Sequence, residues 1–320
     1  MSSKQNYELK PLFVERMQDL LGEDFKDYLK AFEKTPLKSI RVNTLKISVE
    51  DLTKRLEAKG WKIKQISKSH PEIILIESQL QPGELGRTLE HMIGYYYVQD
   101  ISSMLPVLAL EPKENEMILD LCASPGSKTT QIAAKMKNTG TIIANELSLG
   151  RIKILAANTE RCGVTNAIIT KKEGFALCKR LKEAGMQFDR ILVDAPCSGE
   201  GTMISKPRTI KMWNIRTVLT LSKVQKSLLS AAIEILAPKG TIIYSTCTHS
   251  PEENERVVDY VLRNNPNIKI EKIALPVKFR QGLQNWRDEE YFEDLKHSCR
   301  IYPQDNDTEG FFIAKLKKIK

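Results

Sequence analysis

Two cysteines and an aspartate follow two predicted strands and could supply nucleophilic and acid catalysis. The apolar run that ends RILVD leads into Asp194 and Cys197 within DAPCSGEG, and the run TIIYST leads directly into Cys247. A thiolate attacks electron-poor carbon, and a carboxyl group can protonate or hydrogen-bond the atom that gains charge. A free cysteine is often only a buried core residue. Two cysteines at strand ends, with an aspartate beside one of them, favour chemistry.

The segment 120–130, DLCASPGSKTT, is typical of a turn from a strand into a helix that binds a nucleotide-like ligand. It does not match the P-loop, and the G-x-G-x-x-G of a dinucleotide site is absent. A nucleoside without a pyrophosphate remains. Glu146 lies twenty residues after Gly126, at the end of the next apolar run, where its carboxylate can accept both ribose hydroxyls. S-adenosylmethionine meets this description, and a tight turn without a ligand is the alternative.

A thiolate, a carboxyl group and S-adenosylmethionine together suit methylation of a pyrimidine at C5. Addition of a thiolate to C6 makes C5 nucleophilic enough to attack a sulfonium methyl group. A carboxyl group that binds N3 lowers the barrier to this addition, and Asp194 suits that role. One cysteine must be the nucleophile and the other could assist its release. Spacing alone does not decide which.

Strand and helix patterns alternate after residue 110 and predict the elements that hold these residues. Predicted strands lie at 117–119, 142–146, 167–170, 188–194, 241–246, 268–275 and 311–316, and predicted helices at 129–136, 149–161, 175–184, 217–236 and 252–264. This alternation is typical of a parallel, doubly wound α/β sheet, a Rossmann-like fold. In such sheets ligands bind beyond the carboxyl ends of the strands.

The first part of the chain predicts a small α+β domain, which we place at residues 1–92, with the catalytic domain at 93–320. Two amphipathic helices are predicted between residues 7 and 33, a strand at 39–43, and a helix capped by Ser48 that ends at Gly60. This domain could grip RNA or serve as a packing lid. The aromatic run YYY before a helix capped near Asp100 could stack bases, but core packing is the commoner use.

Composition favours a cytoplasmic protein with reduced thiols and a polyanionic partner. The six cysteines show no C-x-x-C pair, the four histidines show no metal-ligand spacing, and the polar start MSSKQNYELK does not resemble a signal sequence. No apolar run reaches membrane length. The formal charge is +9. Residues 1–110 hold 16 basic and 15 acidic side chains and residues 111–320 hold 33 and 25, so the excess lies in the predicted catalytic half.

Seven segments resemble the Sun/Nop-type RNA (cytosine-5)-methyltransferases across about residues 40–318. They are RVNTLK, YYYVQDISS, DLCASPGSKTT, NEL, DAPCSGEG, YSTCT followed by PEENE, and TEGFFIAKLKK. The resemblance implies that Cys247 attacks C6, that Cys197 assists breakdown of the adduct, and that Asp194 and Lys128 lie beside the reacting groups. It also implies S-adenosylmethionine as cofactor, with S-adenosylhomocysteine as product. The implied cofactor residues are Cys122, Ala123, Ser124, Pro125, Gly126, Ser127, Lys128, Glu146, Arg151, Glu173 and Asp194.

The chain departs from the family pattern at the expected adenine contact. Glu173-Gly174 stands where the family usually has Asp-Gly, although a longer carboxylate could accept the same hydrogen bond. The sequence ends at Lys320 soon after GFFIAKLKK, so we expect target choice to depend on the N-terminal domain and the active-site rim.

The rim segment 201–213, GTMISKPRTIKMW, could hold RNA phosphates through Lys206, Arg208 and Lys211 around an extruded base. The alternative is a solvated loop with Trp213 as its core anchor. His249 could relay a proton near Cys247, or it could be a satisfied structural histidine.

We therefore expect a monomeric, cytoplasmic RNA cytosine-5 methyltransferase that requires no metal and acts on tRNA, as compact archaeal relatives do. Ribosomal RNA is the alternative target. A non-catalytic RNA-binding or assembly factor is a second alternative, which the intact cysteine pair disfavours. A DNA methyltransferase is disfavoured because no separate target-recognition domain is visible.

Overall fold

The computed structural model describes residues 8–34 and 37–320. Tyr7, at the start of the predicted first helix, lies outside the described residues. The helices are α1 Pro11–Leu21, α2 Phe25–Glu33, α3 Val49–Ala58, α4 Glu84–Arg87, α5 Leu89–Met92, α6 Ile101–Leu110, α7 Ser127–Lys135, α8 Leu149–Cys162, α9 Gly174–Glu183, α10 Arg208–Met212, α11 Ile215–Glu234, α12 Glu255–Asn264 and α13 Pro303–Asn306. The strands are β1 Lys38–Val42, β2 Ile63–Gln65, β3 Ile73–Ile76, β4 Tyr96–Val98, β5 Met117–Asp120, β6 Thr141–Asn145, β7 Ala167–Thr170, β8 Phe188–Asp194, β9 Leu236–Thr246, β10 Ile268–Glu271, β11 Arg280–Gln281, β12 Asn285–Trp286, β13 Glu289–Glu290, β14 Cys299–Ile301 and β15 Phe311–Lys318.

The first sheet is small and antiparallel, with strand order β2-β3-β1-β4. Its strands and α3 bury an apolar core that includes Ile40, Leu52 and Ile74. The predicted cap of α3 is confirmed, since the Ser48 hydroxyl accepts a hydrogen bond from the Asp51 amide at 3.0 Å. The strand β4 lies beyond residue 92 and pairs with β1, so this sheet draws one strand from the part of the chain that we assigned to the catalytic domain.

The large sheet has five parallel strands in the order β7-β6-β5-β8-β9, as predicted for a doubly wound fold. The expectation of parallel strands is wrong for the rest of this sheet. The strand β15 runs antiparallel to β9, and β10 and β14 run antiparallel to β15. The strand order reverses at β5, whose neighbours are β6 and β8. This reversal opens a crevice at the carboxyl ends of β5 and β8.

Helices cover both faces of the large sheet. The helices α9, α11 and α12 contribute to the core on one face, and α6 and α7 contribute to the core on the other. The helix α6, which follows the aromatic run, has nine buried residues of ten. Among the described residues, no helix combines the length and apolar character needed to cross a bilayer.

The first two helices pack against the catalytic part of the chain. Phe13, Met17 and Tyr28 share a buried cluster with residues of the segment 203–218 and with Tyr302. The N-terminal helices therefore support the rim beside the crevice.

Candidate active site

The two cysteines predicted to react lie against each other. The strands β8 and β9 are parallel neighbours with Asp194 opposite Ser245, so the residues that follow leave the same edge of the sheet. Cys197 Sγ and Cys247 Sγ are 3.2 Å apart. The contact with Cys247 and burial together raise the pKa of Cys197 well above its ordinary value. The structure thus pairs Cys247 with a sulfur that keeps its proton at neutral pH.

Asp194 forms a partly buried ion pair with Lys128 beside these sulfurs. Lys128 Nζ lies 2.8 Å from Asp194 Oδ2, which confirms the predicted approach of the two side chains. The Ser245 hydroxyl donates to Asp194 Oδ1 at 2.8 Å, and Lys128 also donates to Ser103 Oγ at 3.0 Å. The carboxylate is therefore fixed by a hydrogen bond or ion pair at each oxygen.

The segment 122–128 turns from β5 into α7 as predicted. Gly126 precedes the helix with φ 100°, a conformation that favours glycine, and a Cβ there would lie 3.1 Å from Leu155 Cδ1. Thr129 Oγ1 donates to Asp120 Oδ2 at 2.7 Å beneath the turn. Burial raises the pKa of Asp120 to about 7. The turn is thus packed from below and presents residues 122–125 to the crevice.

Two adjoining cavities open at this crevice, and most predicted cofactor residues line one or both. The first, about 450 Å³, is lined by residues that include Cys122, Ser124, Glu146, Arg151, Glu173, Asp194, Cys197 and Cys247. The second, about 410 Å³, is lined by residues that include Cys122, Ala123, Ser124, Pro125, Ser127, Lys128, Arg151, Asp194, Lys206, Cys247, Glu309 and Phe311. Gly126 lines neither. Asp194 and Cys247 belong to both walls, so a ligand in each cavity would meet at these two residues.

Glu146 and Arg151 form the far wall of the first cavity. Glu146 Oε1 accepts a hydrogen bond from the Ser148 amide at 2.9 Å, and Oε2 lies 3.4 Å from Arg151 Nη1. Arg151 also donates to the Ser124 carbonyl at 2.7 Å, which ties this wall to the turn after β5. The Glu146 carboxylate is 5% exposed and follows β6, where a ribose would be held in this fold.

Glu173 lines the first cavity but is also the cap of α9. Its carboxylate accepts hydrogen bonds from the Phe175 and Ala176 amides at 3.0 and 2.8 Å. A contact with an adenine amino group would have to share these oxygens.

The rim segment divides into a buried anchor and exposed cations. Trp213 is 4% exposed, packs edge-to-face on Phe13 at 5.2 Å and donates from Nε1 to Glu200 at 2.6 Å. The core-anchor interpretation is therefore correct for Trp213. Lys206, Arg208 and Lys211 are exposed, and Lys206 lines the second cavity.

Glu200 is a structural centre that the sequence motifs did not single out. Its carboxylate is buried and accepts hydrogen bonds from the Thr248 hydroxyl at 2.9 Å, the His249 amide at 3.0 Å and the Ser250 hydroxyl at 2.6 Å, besides the Trp213 indole. It fixes the three residues after Cys247. Its place between two glycines in the segment 199–201 was the available signal.

His249 and the aromatic run are packing residues. His249 stacks on Tyr302 with ring centroids 4.9 Å apart, and burial lowers the pKa of His249 to about 3. The structural interpretation is thus favoured over the proton relay, but the expectation of a satisfied histidine is wrong for Nε2, which is buried without a hydrogen bond to any described residue. Tyr96 and Tyr97 are buried, and the Arg41 guanidinium lies 5.4 Å from the Tyr97 ring centroid. Core packing accounts for these two rings, but Tyr97 also lines the second cavity, so base stacking by Tyr97 stays a prediction.

Comparison with known proteins gives a family for the whole arrangement. The family model described as 16S rRNA methyltransferase RsmB/F matches residues 107–317, and the model for the N-terminal domain of 16S rRNA methyltransferase RsmF matches residues 9–101. The ribosomal RNA small subunit methyltransferase F of Vibrio parahaemolyticus is 41% identical over 310 residues, which are 96% of this chain and 62% of that protein. This chain thus spans less than two thirds of that relative. The tRNA (cytosine(49)-C(5))-methyltransferase of Pyrococcus abyssi is 40% identical over 305 residues, 95% of each chain.

Solved structures agree with this assignment. A methyltransferase homologue from Pyrococcus horikoshii has a TM-score of 0.84 at 35% identity and covers 98% of this chain and 96% of its own. NSun6 from the same organism, solved with SFG, has a TM-score of 0.82 at 26% identity over 97% and 98% of the two chains. The chain therefore belongs to the RsmB/F methyltransferase family, the Sun/Nop-type family that its motifs resemble.

Proposed function

We propose that the protein is an RNA (cytosine-5)-methyltransferase that transfers a methyl group from S-adenosylmethionine to C5 of cytosine. The observation that carries the proposal is that Asp194 and Cys247 line both cavities, with the Cys197 sulfur 3.2 Å from that of Cys247. One cavity is lined by the turn, Glu146 and Arg151, which suit a nucleoside cofactor. The other opens toward the cationic rim, which suits a nucleotide extruded from RNA.

The cofactor cavity fits S-adenosylmethionine by volume and by the groups that line it. At about 450 Å³ it is within the range of small-molecule sites. Glu146 would hold the ribose hydroxyls, and Cys122 and Ser124 would line the methionine part. Glu173 would face the adenine. When bound, the cofactor supplies an electrophilic methyl group.

The protein's own residues would carry the remaining steps. Cys247, as thiolate, adds to C6 of the target cytosine, while Asp194 and Lys128 bind the N3 side of the ring. C5 then becomes nucleophilic and accepts the methyl group. A base removes the C5 proton and the C6–S bond breaks, with Cys197 assisting this release. Cys247 lines both cavities whereas Cys197 lines only the cofactor cavity, which supports that division of roles.

The target RNA is a finer proposal. We propose tRNA, because the Pyrococcus abyssi tRNA enzyme and this chain match over 95% of both lengths. The bacterial rRNA relatives, at up to 41% identity, favour rRNA as the second candidate. Bisulfite mapping of both RNAs from a strain that lacks the protein distinguishes them. The monomeric state and the cytoplasmic location stay predictions.

A covalent-trapping experiment tests the reaction. RNA with 5-fluorocytosine should form a stable adduct, because fluorine at C5 blocks the elimination step. Cys247→Ala should abolish the adduct, and Cys197→Ala should let an adduct persist on ordinary RNA. Cys178→Ala, which changes a buried cysteine on α9, is the control and should behave as the unmodified protein does. The reverse pattern would exchange the two roles, and no adduct with any form would favour a non-catalytic RNA-binding protein.

A further inference from the structure

Hydrogen bonds join the segment after Cys197 to Cys247 and its neighbour Thr248. The Gly201 amide donates to the Cys247 carbonyl at 3.0 Å, and the hydroxyls of Ser198 and Thr248 are 2.8 Å apart. These contacts join the segment after Cys197 to the segment around Cys247. A sulfur–sulfur separation of 3.2 Å is only about 1.2 Å longer than a disulfide bond. The pair can therefore form a covalent bond with little backbone movement.

Small oxidants can reach this pair through the two cavities. Both cysteines line the cofactor cavity, and Cys247 also lines the second cavity. Cys162, Cys178 and Cys299 are no more than 1% exposed and lie in the core. Cys122 also lines both cavities and is the competing partner that an experiment must exclude.

We propose that Cys197 and Cys247 form a reversible disulfide when the protein meets hydrogen peroxide, and that this disulfide switches the enzyme off. The thiolate of Cys247, which both cavities reach, attacks one peroxide oxygen. The O–O bond breaks, a sulfenic acid forms and the departing hydroxide takes up a proton as water. The sulfur of Cys197 then attacks the sulfenic sulfur, the S–O bond breaks, and the Cys197 proton leaves with that oxygen as a second water. Two thiols are thus oxidised and one peroxide is reduced to two waters.

The loss of activity rests on the proposed function, but the disulfide itself does not. In the disulfide, Cys247 has no thiolate to add to C6, and Cys197 has no thiol for the release step. A thiol reductant cleaves the bond by exchange and restores both groups.

Peptide mapping of peroxide-treated protein tests the inference. The full chain is treated with hydrogen peroxide, alkylated and digested, and linked peptides are identified by mass spectrometry. We expect one linked peptide that joins residues 197 and 247, with methylation lowered about tenfold or more and restored by dithiothreitol. Cys178→Ala should show the same link and the same loss. Cys197→Ser should show no link, and its Cys247 should proceed to the sulfinic acid that dithiothreitol does not reduce.

Free thiols at both positions, a link to Cys122, or direct conversion of Cys247 to the sulfinic acid in the unmodified protein would overturn the inference. The linked peptide is measured without RNA. A chain that forms the link but never methylates RNA would sink the proposed function and leave the disulfide standing. A chain that methylates RNA but forms no link would overturn the disulfide and leave the proposed function standing.

Discussion

Arg41 joins the small N-terminal sheet to the turn that lines the cofactor cavity, and its removal should affect both stability and cofactor binding. It lies on β1, is 2% exposed and donates to the Ser127 carbonyl at 2.6 Å and the Thr130 hydroxyl at 2.7 Å. It also donates to the Gln99 side chain. Ser127 directly precedes Lys128, so the guanidinium supports the backbone from which the active-site cation projects.

The substitution Arg41→Met keeps most of the side-chain volume and removes these donors. Each hydrogen bond from a charged donor contributes about 1.5–3 kcal/mol, but removal of a buried cation also recovers part of its desolvation cost. Burial lowers the pKa of Arg41 to about 10, which indicates that this cost is substantial. We therefore expect a net loss of about 3 kcal/mol in the free energy of unfolding, or roughly 4 °C in Tm for a chain of this size.

Cofactor binding should weaken in parallel, by about tenfold or 1.4 kcal/mol, because the turn loses its support from the N-terminal sheet. Calorimetric titration with S-adenosylhomocysteine and a thermal melt measure the two effects. Arg55→Met is the matched control, since Arg55 lies exposed on α3 over the Tyr95 ring at 5.6 Å. It should change stability by less than about 0.5 kcal/mol. If Arg41→Met binds cofactor and melts as the Arg55 variant does, the support assigned to Arg41 is wrong.

Three further predictions concern the site and its surroundings. Asp194→Asn keeps the shape of the side chain but weakens its pairing with Lys128, so methylation should fall at least about a hundredfold with cofactor affinity nearly unchanged; normal turnover would remove Asp194 from the mechanism. Replacing Lys206 and Arg208 with Ala should weaken RNA binding and reduce the slope of log affinity against log salt by about 1.4. The control Lys179→Ala on α9 should leave this slope unchanged. Equal slopes for the two variants would indicate that the segment 201–213 is a solvated loop that does not bind RNA phosphates. Burial and a neighbouring carboxylate raise the pKa of Glu253 from 4.5 to about 8, so the stability from its bound proton is full below pH 4.5 and is lost as pH rises to 8. In urea titrations Glu253→Gln should lose less stability than the unmodified protein over that interval, and identical pH profiles would contradict the buried proton.

The sequence predicted the parallel part of the sheet because each of those strands is a compact apolar run followed by a helical pattern. The same pattern predicted which edge of the sheet carries the candidate site, because Cys197 and Cys247 follow two such apolar runs. Direction was not predictable for β15. The run 311–316 has the composition of a buried strand, but composition does not indicate strand direction. The direction of β15 depends on its antiparallel pairing with β14 and β9. The strands β11, β12 and β13, at two residues each, are too short for any periodicity.

Partners distant in the chain explain most of what the sequence did not predict. Glu200 accepts hydrogen bonds from residues 13 to 50 positions away, and no local sequence pattern predicts these partners. The amphipathic pattern of α1 and α2 was correct, but such a pattern does not say which surface the helix will cover. The pairing of Lys128 with Asp194 was expected from family resemblance, whereas the hydrogen bond that Lys128 donates to Ser103 was not expected.

The close approach of Gly201 to Gly310 limits how this chain can be recombined with its relatives. A Cβ at Gly201 would lie 2.2 Å from the Gly310 carbonyl oxygen, and a Cβ at Gly310 would lie 2.1 Å from His249 Cε1. Three segments, around residues 201, 249 and 310, are thus in contact where not even one methyl group fits. A chimera that takes only the rim segment 201–213 from a relative would place foreign side chains against the segments around residues 249 and 310. The three segments must therefore be exchanged together.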